Sequence, residues 1–171
     1  MNARRATLAT TGTAAFVIAL TMAWQHAPLF VWNASESVPV GLYGVRPSGV
    51  PTIDELVVVQ PPAKLADFLA AGGYLPKGLP LLKHIAALPG STVCRSGLAV
   101  TVDGVLRAIA RERDHAGRML PIWSGCRSLA KDEVFLLNPR QPSSLDGRYF
   151  GPLPSSSVVG EALPVWTRGQ Q

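Results

Sequence analysis

At 171 residues the chain is long enough to bury the core of one domain, and 47% apolar against 16% charged residues excludes a disordered polymer. The formal net charge of +5 would admit nucleic acid as a partner if the basic residues clustered. They do not: the densest group, Arg107, Arg111, Arg113 and Arg118, is interrupted by Glu112 and Asp114 and reads as solvated surface.

In chain order, Arg4 and Arg5 precede residues 6–24, a largely apolar stretch diluted by threonines but free of charge. About 19 residues at about 1.5 Å each span about 28 Å, near the thickness of the hydrocarbon core of a bilayer. Positive charge ahead of the stretch predicts a cytoplasmic N-terminus, with the rest of the chain exported. A cleaved signal peptide is the alternative, but WQHAPLFVW offers no convincing small-x-small cleavage site, and its aromatics suit a membrane interface. The expected organisation is therefore a cytoplasmic N-terminus over 1–5, a transmembrane anchor over 6–26 and a periplasmic domain over 27–171, placing the chain in a bacterial inner membrane with the bilayer as a partner.

Residues 33–43, NASESVPVGLY, come next. Ser35 and Ser37 read either as turn residues or as a nucleophile and its neighbour, and Pro39 with Gly41 is expected to fix and bend the backbone just behind them. Beyond this segment the chain reads mainly as strands. ELVVVQ (55–60), LLKHIAAL (81–88), LAVTVDGVLRA (98–108), EVFLLN (133–138) and SVVGEALPVW (157–166) are short apolar runs bounded by turn residues. Asp103-Gly104 predicts a tight hairpin, because its turn needs residues that accept positive φ. One short helix is predicted in PPAKLADFLAAGG, where Leu65, Phe68 and Leu69 share a face and Gly72-Gly73 stops it.

A serine nucleophile needs a base. Of the histidines, His26 sits at the membrane end, His84 in an apolar run and His115 in a charged loop, and none falls in a recognisable triad motif. Lysine can serve if burial keeps its amine neutral. Lys83 meets that demand in GLPLLKHIAALPG: on a strand it shares a face with Leu81 and Ile85, while His84 points the other way. A side chain that snorkels to solvent is the competing reading. Cys94 and Cys126, on the exported side, are expected to pair as a disulfide closing a loop of about 32 residues, worth about 3.7 kcal/mol in the chain-entropy model. No zinc-ligand spacing is present, and neither metal nor cofactor is expected.

Three segments carry a resemblance. SESVP is similar to the Ser-x-Ser-Met-x-Pro box of the type I signal peptidase family, KHIAALPG to its Lys-Arg-Ile-Val-Gly-Leu-Pro-Gly box, and SSLDGRYFGPLP to its Ser-x-Asp-Ser-Arg-Tyr-x-Gly box. NASESVPVGLY is most similar to the TraF-type peptidases of conjugative transfer systems. The resemblance covers about residues 33–166. It implies a mostly β, signal-peptidase-like antiparallel domain with an N-terminal transmembrane helix and a short helical insertion. It also implies that Ser37 is the nucleophile and Lys83 the general base. The Ser37 N–H and the Ser35 hydroxyl would form the oxyanion hole, Ser144 would orient the lysine, and Asp146 and Arg148 would be a charged pair beside the site. The sequence departs from the family at Val38, at a proline one residue closer, at Gly147 in place of serine, and at LLNPRQP in place of a Gly-Asp-Asn-Arg opening. The function so implied is processing of an exported substrate, either a pilin-like subunit that is cut and then cyclised or a signal-peptide-bearing protein. A general signal peptidase and a non-catalytic periplasmic assembly protein are the alternatives.

Overall fold

The computed structural model describes residues 3–23, 28–47 and 49–168, with side chains of the first helix placed only over 7–17; Trp24 and His26 lie outside the described residues. The first element, α1 (Ala3–Ala23), is helical throughout. Its threonines fold their hydroxyls back along the helix: Thr11 Oγ1 donates to the Thr7 carbonyl at 2.8 Å and Thr13 Oγ1 to the Ala9 carbonyl at 2.9 Å. Among the described residues no helix is long and apolar enough to cross a membrane.

The remainder of the chain is mostly β. Strands β1 (Phe30–Asn33), β2 (Gly41–Arg46) and β3 (Leu56–Val59) lead to the short helix α2 (Ala63–Ala71). After it come β4 (Leu81–Ala87), β5 (Thr92–Ser96), β6 (Ala99–Val102), β7 (Val105–Ile109), β8 (Gly125–Ser128) and β9 (Glu133–Leu137). A one-turn helix α3 (Gly147–Phe150), β10 (Leu153–Pro154), a 3-10 turn at Ser155–Ser157 and β11 (Val158–Thr167) complete the chain. All pairings are antiparallel. The larger sheet runs β1-β2-β11-β3-β4-β9-β10 and the smaller β7-β6-β5-β8.

The apolar runs become strands because both faces of the central ones are covered. On one face of the larger sheet Val57, Val59, Ile85, Val134 and Leu136 pack together; on the other Val38, Tyr43, Val58, Leu82 and Ala162 do so. A third cluster, including Ala87, Val93, Val100, Phe135 and Leu137, joins the two sheets. Each fully buried Val, Leu or Ile contributes about 1.5–3 kcal/mol. The predicted hairpin forms between β6 and β7, with Asp103 at φ 50° and Gly104 at φ 79°. Pro62 stands at the N-cap of α2, and Gly72 ends the helix as expected.

Gly41 has a different role from the bend expected of it. It opens β2 as an ordinary strand residue, and a Cβ there would lie 2.1 Å from the Trp166 carbonyl oxygen, so glycine is needed for the close approach of β11. Cys94 and Cys126 sit directly opposite each other on β5 and β8 and are disulfide-bonded.

Candidate active site

The turn between β1 and β2 is built around one side chain. Asn33, buried at the end of β1, donates through Nδ2 to the carbonyls of Ser35 (2.7 Å), Val38 (3.0 Å) and Pro39 (3.1 Å). Its Oδ1 accepts from the Ser35 N–H at 3.1 Å and the Ser35 hydroxyl at 2.9 Å. The Tyr43 hydroxyl adds a 2.6 Å bond to the Pro39 carbonyl. Val38 is buried and pins the turn to the sheet, leaving Ser37 half-buried. Ser37 Oγ lies 2.9 Å from Ser35 Oγ. The Ser37 N–H meets no acceptor among the described residues, so it is free to donate to an oxyanion.

Lys83 lies on an interior strand of the larger sheet, opposite Val57 on β3 and between Leu81 and Ile85 on its own face. It is 3% exposed and does not snorkel. Its Nζ donates to Ser144 Oγ at 2.7 Å. Burial lowers its pKa from 10.5 to about 8; Asp146 opposes the shift and Arg148 adds to it. A useful fraction of neutral amine therefore exists near neutral pH, as a general base requires.

Ser144 is set by the segment that joins β9 to α3. Asp146 caps α3 by accepting the Arg148 N–H at 3.1 Å, and its other oxygen takes the Asn138 N–H at 2.9 Å. The Arg148 guanidinium returns to Asp146 through Nε (2.9 Å) and Nη2 (2.7 Å) and donates to the carbonyls of Asn138, Gln141 and Pro142. Asp146 and Arg148 are both at least 98% buried, so the pair replaces lost hydration with a closed set of bonds. Burial alone would lower the Arg148 pKa, but the hydrogen bond and charge of Asp146 outweigh it and the pKa is raised.

Two pairs are thus formed, Ser35 with Ser37 and Lys83 with Ser144. No hydrogen bond joins Ser37 to Lys83 among the described residues. The halves meet through Gln141, whose Nε2 donates to the Glu36 carbonyl at 3.1 Å while its own carbonyl accepts the Ser144 N–H at 3.1 Å. Ser37 also stands at the meeting of two cavities whose walls include Leu82 and His84, the residues on either side of Lys83. One, of about 820 Å³, is mainly apolar and continues past Ser35 to Val58, Leu75 and Leu81. The other, of about 1040 Å³, carries Glu36, Asp54, Arg107, Arg140 and Arg168. His84 is held by Asn138, its Nδ1 3.0 Å from Asn138 Oδ1, and takes no part in a triad. Among the described residues no group of His, Cys, Asp and Glu is placed to hold a metal ion.

Sequence reasoning missed Asn33, Tyr43, Asn138 and Gln141. Asn33 directly before the serine box and Tyr43 just after it were available signals; Asn138 and Gln141 act on backbone groups that only the folded chain brings close.

Comparison with known proteins agrees with the three boxes. The family described as signal peptidase, peptidase S26, matches residues 3–167. A conjugal transfer protein TraF of Agrobacterium tumefaciens (strain 15955) is 37% identical over 178 residues, covering 98% of each chain. A plasmid transfer protein TraF of Escherichia coli is 30% identical over 144 residues, covering 79% of this chain and 81% of its own. A signal peptidase I structure from Enterococcus faecalis V583 aligns over 67% of this chain and 97% of its own, at 17% identity and a TM-score of 0.40. With its family match spanning both the Ser37 turn and the Lys83 strand, the chain belongs to the signal peptidase, peptidase S26 family.

Proposed function

We infer that the protein is a serine endopeptidase using Ser37 and Lys83, and that it matures an exported subunit of a conjugative transfer apparatus. The observation that carries the reading is the Lys83 amine: buried in an apolar sheet, low in pKa and aimed by Ser144, on the strand that forms a wall of both cavities at Ser37. A scaffold protein has no use for so costly an arrangement. On this reading Ser37 Oγ must leave Ser35 and meet the Lys83 amine in the substrate complex, where such bonds often tighten.

In the proposed reaction Ser37 Oγ attacks the scissile carbonyl and passes its proton to neutral Lys83. The developing oxyanion is met by the Ser37 N–H and the Ser35 hydroxyl, which turns from Asn33 to donate. Protonated Lys83 then donates to the leaving amine. Water resolves the acyl-enzyme; attack by the substrate's own amino end instead would yield a cyclic product. The relatives' names, a conjugal transfer protein and a plasmid transfer protein, support the link to a transfer apparatus.

The anchor belongs to the same reading. Its support is the sequence, in which Arg4 and Arg5 precede an uncharged, largely apolar stretch; the described helix α1 does not by itself reach the length and apolarity of a span. The exposed Trp32 and Trp166, stacked with centroids 5.9 Å apart, and the exposed Phe30 suit the headgroup level of the periplasmic face. The catalytic domain over 27–171 then faces the periplasm of a bacterial inner membrane.

The test is mass spectrometry of a candidate pilin co-expressed with the full chain. Cleavage is expected, and a product one water lighter than the linear fragment would mark cyclisation. Ser37→Ala and Lys83→Met should each abolish processing while leaving the protein folded. The wild-type rate should rise with pH along a limb centred near 8, as Lys83 loses its proton. Full activity of Lys83→Met would overturn the dyad.

A further inference from the structure

The apolar cavity beside Ser37 has one wall that belongs to no sheet: the segment 74–80 between α2 and β4, which contributes Tyr74, Leu75, Pro76 and Leu79. The backbone hydrogen bonds of this segment are local. Tyr74 N and Leu75 N both donate to the Leu69 carbonyl, and Leu79 N donates to the Pro76 carbonyl. From the segment and from the α2 C-cap just before it, hydrogen bonds to a distant part of the chain converge on the turn between β7 and β8. Tyr74 OH donates to Asp114 Oδ2 at 2.5 Å, and Arg118 Nη1 donates to the Gly72 carbonyl at 2.5 Å. Arg118 also binds Asp114 through Nε at 2.7 Å and lies over the Tyr74 ring at 4.5 Å from its centroid. Asp114 is fixed in turn by the N–H groups of Ala116 and Arg118.

Tyr74 is seated for this contact on every side. Phe68 stacks against it with centroids 5.8 Å apart, and the ring folds so tightly over Gly72 that a Cβ there would lie 2.2 Å from it. A surface tyrosine whose only task was to cover α2 would need neither the carboxylate nor the guanidinium.

We propose that Tyr74, Asp114 and Arg118 form a clamp by which the small-sheet region fixes the 74–80 wall and thereby limits the size of the substrate side chains admitted on the acyl side of Ser37. This deepens the peptidase reading and rests on it. Asp114 and Arg118 are then specificity-setting positioning residues, remote from the reacting atoms. The substrate they select has small side chains where it meets this wall, and releasing the wall admits bulkier ones.

The experiment uses the full chain in detergent, with two matched peptides carrying alanine or leucine before the scissile bond. Wild type should prefer alanine. Arg118→Met keeps the aliphatic stem and Tyr74→Phe keeps the ring. Each should shift the leucine-to-alanine ratio of kcat/KM upward by about tenfold, the size expected when a pocket stops excluding a few methylenes. The change should lie mainly in KM for the leucine peptide. Labelling of Ser37 by a small fluorophosphonate should keep its rate and pH profile in Arg118→Met, which a general loss of structure would not allow. Amide hydrogen exchange should quicken in 74–80 but not in β4. An unchanged peptide ratio, or unchanged exchange in 74–80, overturns the clamp. If wild type cleaves neither peptide and Ser37 resists labelling, the peptidase reading falls instead, and exchange in 74–80 alone decides whether the clamp holds the wall.

Discussion

A lysine amine kept neutral by burial costs the folded state free energy whenever the unfolded chain would hold the proton. For Lys83 the folded pKa is about 8 against an ordinary 10.5. Below about pH 8 both states are protonated and the full penalty stands, about 3 kcal/mol at 1.36 kcal/mol per pKa unit. Between about 8 and 10.5 only the unfolded chain holds the proton, so stability rises with pH through that window. Lys83→Met, which keeps an apolar stem and removes the charge, should therefore be more stable than wild type at pH 7 by about 1–3 kcal/mol, with the gain fading toward pH 10.5. Urea unfolding at pH 7 and pH 10.5 measures it, and a variant less stable at pH 7 would mean that the Ser144 bond already compensates the burial. Lys83 was legible in the sequence because a charged residue inside an apolar strand contradicts its surroundings. Gln141 was not: its bond to Glu36 spans 105 positions, and nothing in QPSS marks it out.

Elements differ in the same way. β3, β4 and β9 were readable because they are largely buried and spell apolar runs, that of β4 broken only by Lys83 and His84. β8 was not, since GCRS is exposed along its whole length and owes its place to pairing with β5 and to the disulfide. Reduction of Cys94–Cys126 should accordingly free the β8 edge while β3 and β4 stay ordered. The loss should not exceed about 3.7 kcal/mol. Hydrogen exchange with and without reductant locates the change; equal loss of protection in β4 would contradict it. α3 is too short to have announced itself, and the Asp146–Arg148 pair holds it. Arg148→Met should cost about 3–5 kcal/mol, because it leaves the buried Asp146 carboxylate without its countercharge and removes the guanidinium bonds to three carbonyls. Arg148→Lys should recover little, since one ammonium cannot reproduce the planar fork. Thermal melts of both variants provide the check.

For the whole molecule, if Ser37 is the nucleophile and the N-terminal segment an anchor, the distance from α1 to Ser37 bounds where a substrate can be cut. Only residues 24–36 separate α1 from Ser37, and β1 with its Trp32–Trp166 stack occupies part of that length. If α1 spans the bilayer, inserting a soluble spacer before a substrate's cleavage sequence should progressively reduce processing in intact membranes. Processing in detergent should not change. Undiminished cleavage in membranes with a long spacer would show that the anchor does not select the site. The antiparallel β architecture and the boxes around Ser37, Lys83 and Asp146 were legible at this scale. The two cavities and the clamp were not, because they arise where segments distant in sequence meet.

The position of β11 has a consequence in time. The strand lies between β2 and β3, and the Gly41 end of β2 packs directly against the backbone at Trp166 and Thr167. The turn carrying Ser37 is thus made early in synthesis, yet the strand that joins its hairpin to the Lys83 side of the sheet is the last to emerge. Until that strand arrives, β1–β2 is an isolated two-stranded hairpin, which is marginally stable in water. Ser37 and Lys83 are consequently joined through one sheet only after the chain has been made through residue 167. A chain still on the ribosome therefore carries both residues without a formed site, and on the proposed peptidase reading activity begins only with the closing of the sheet.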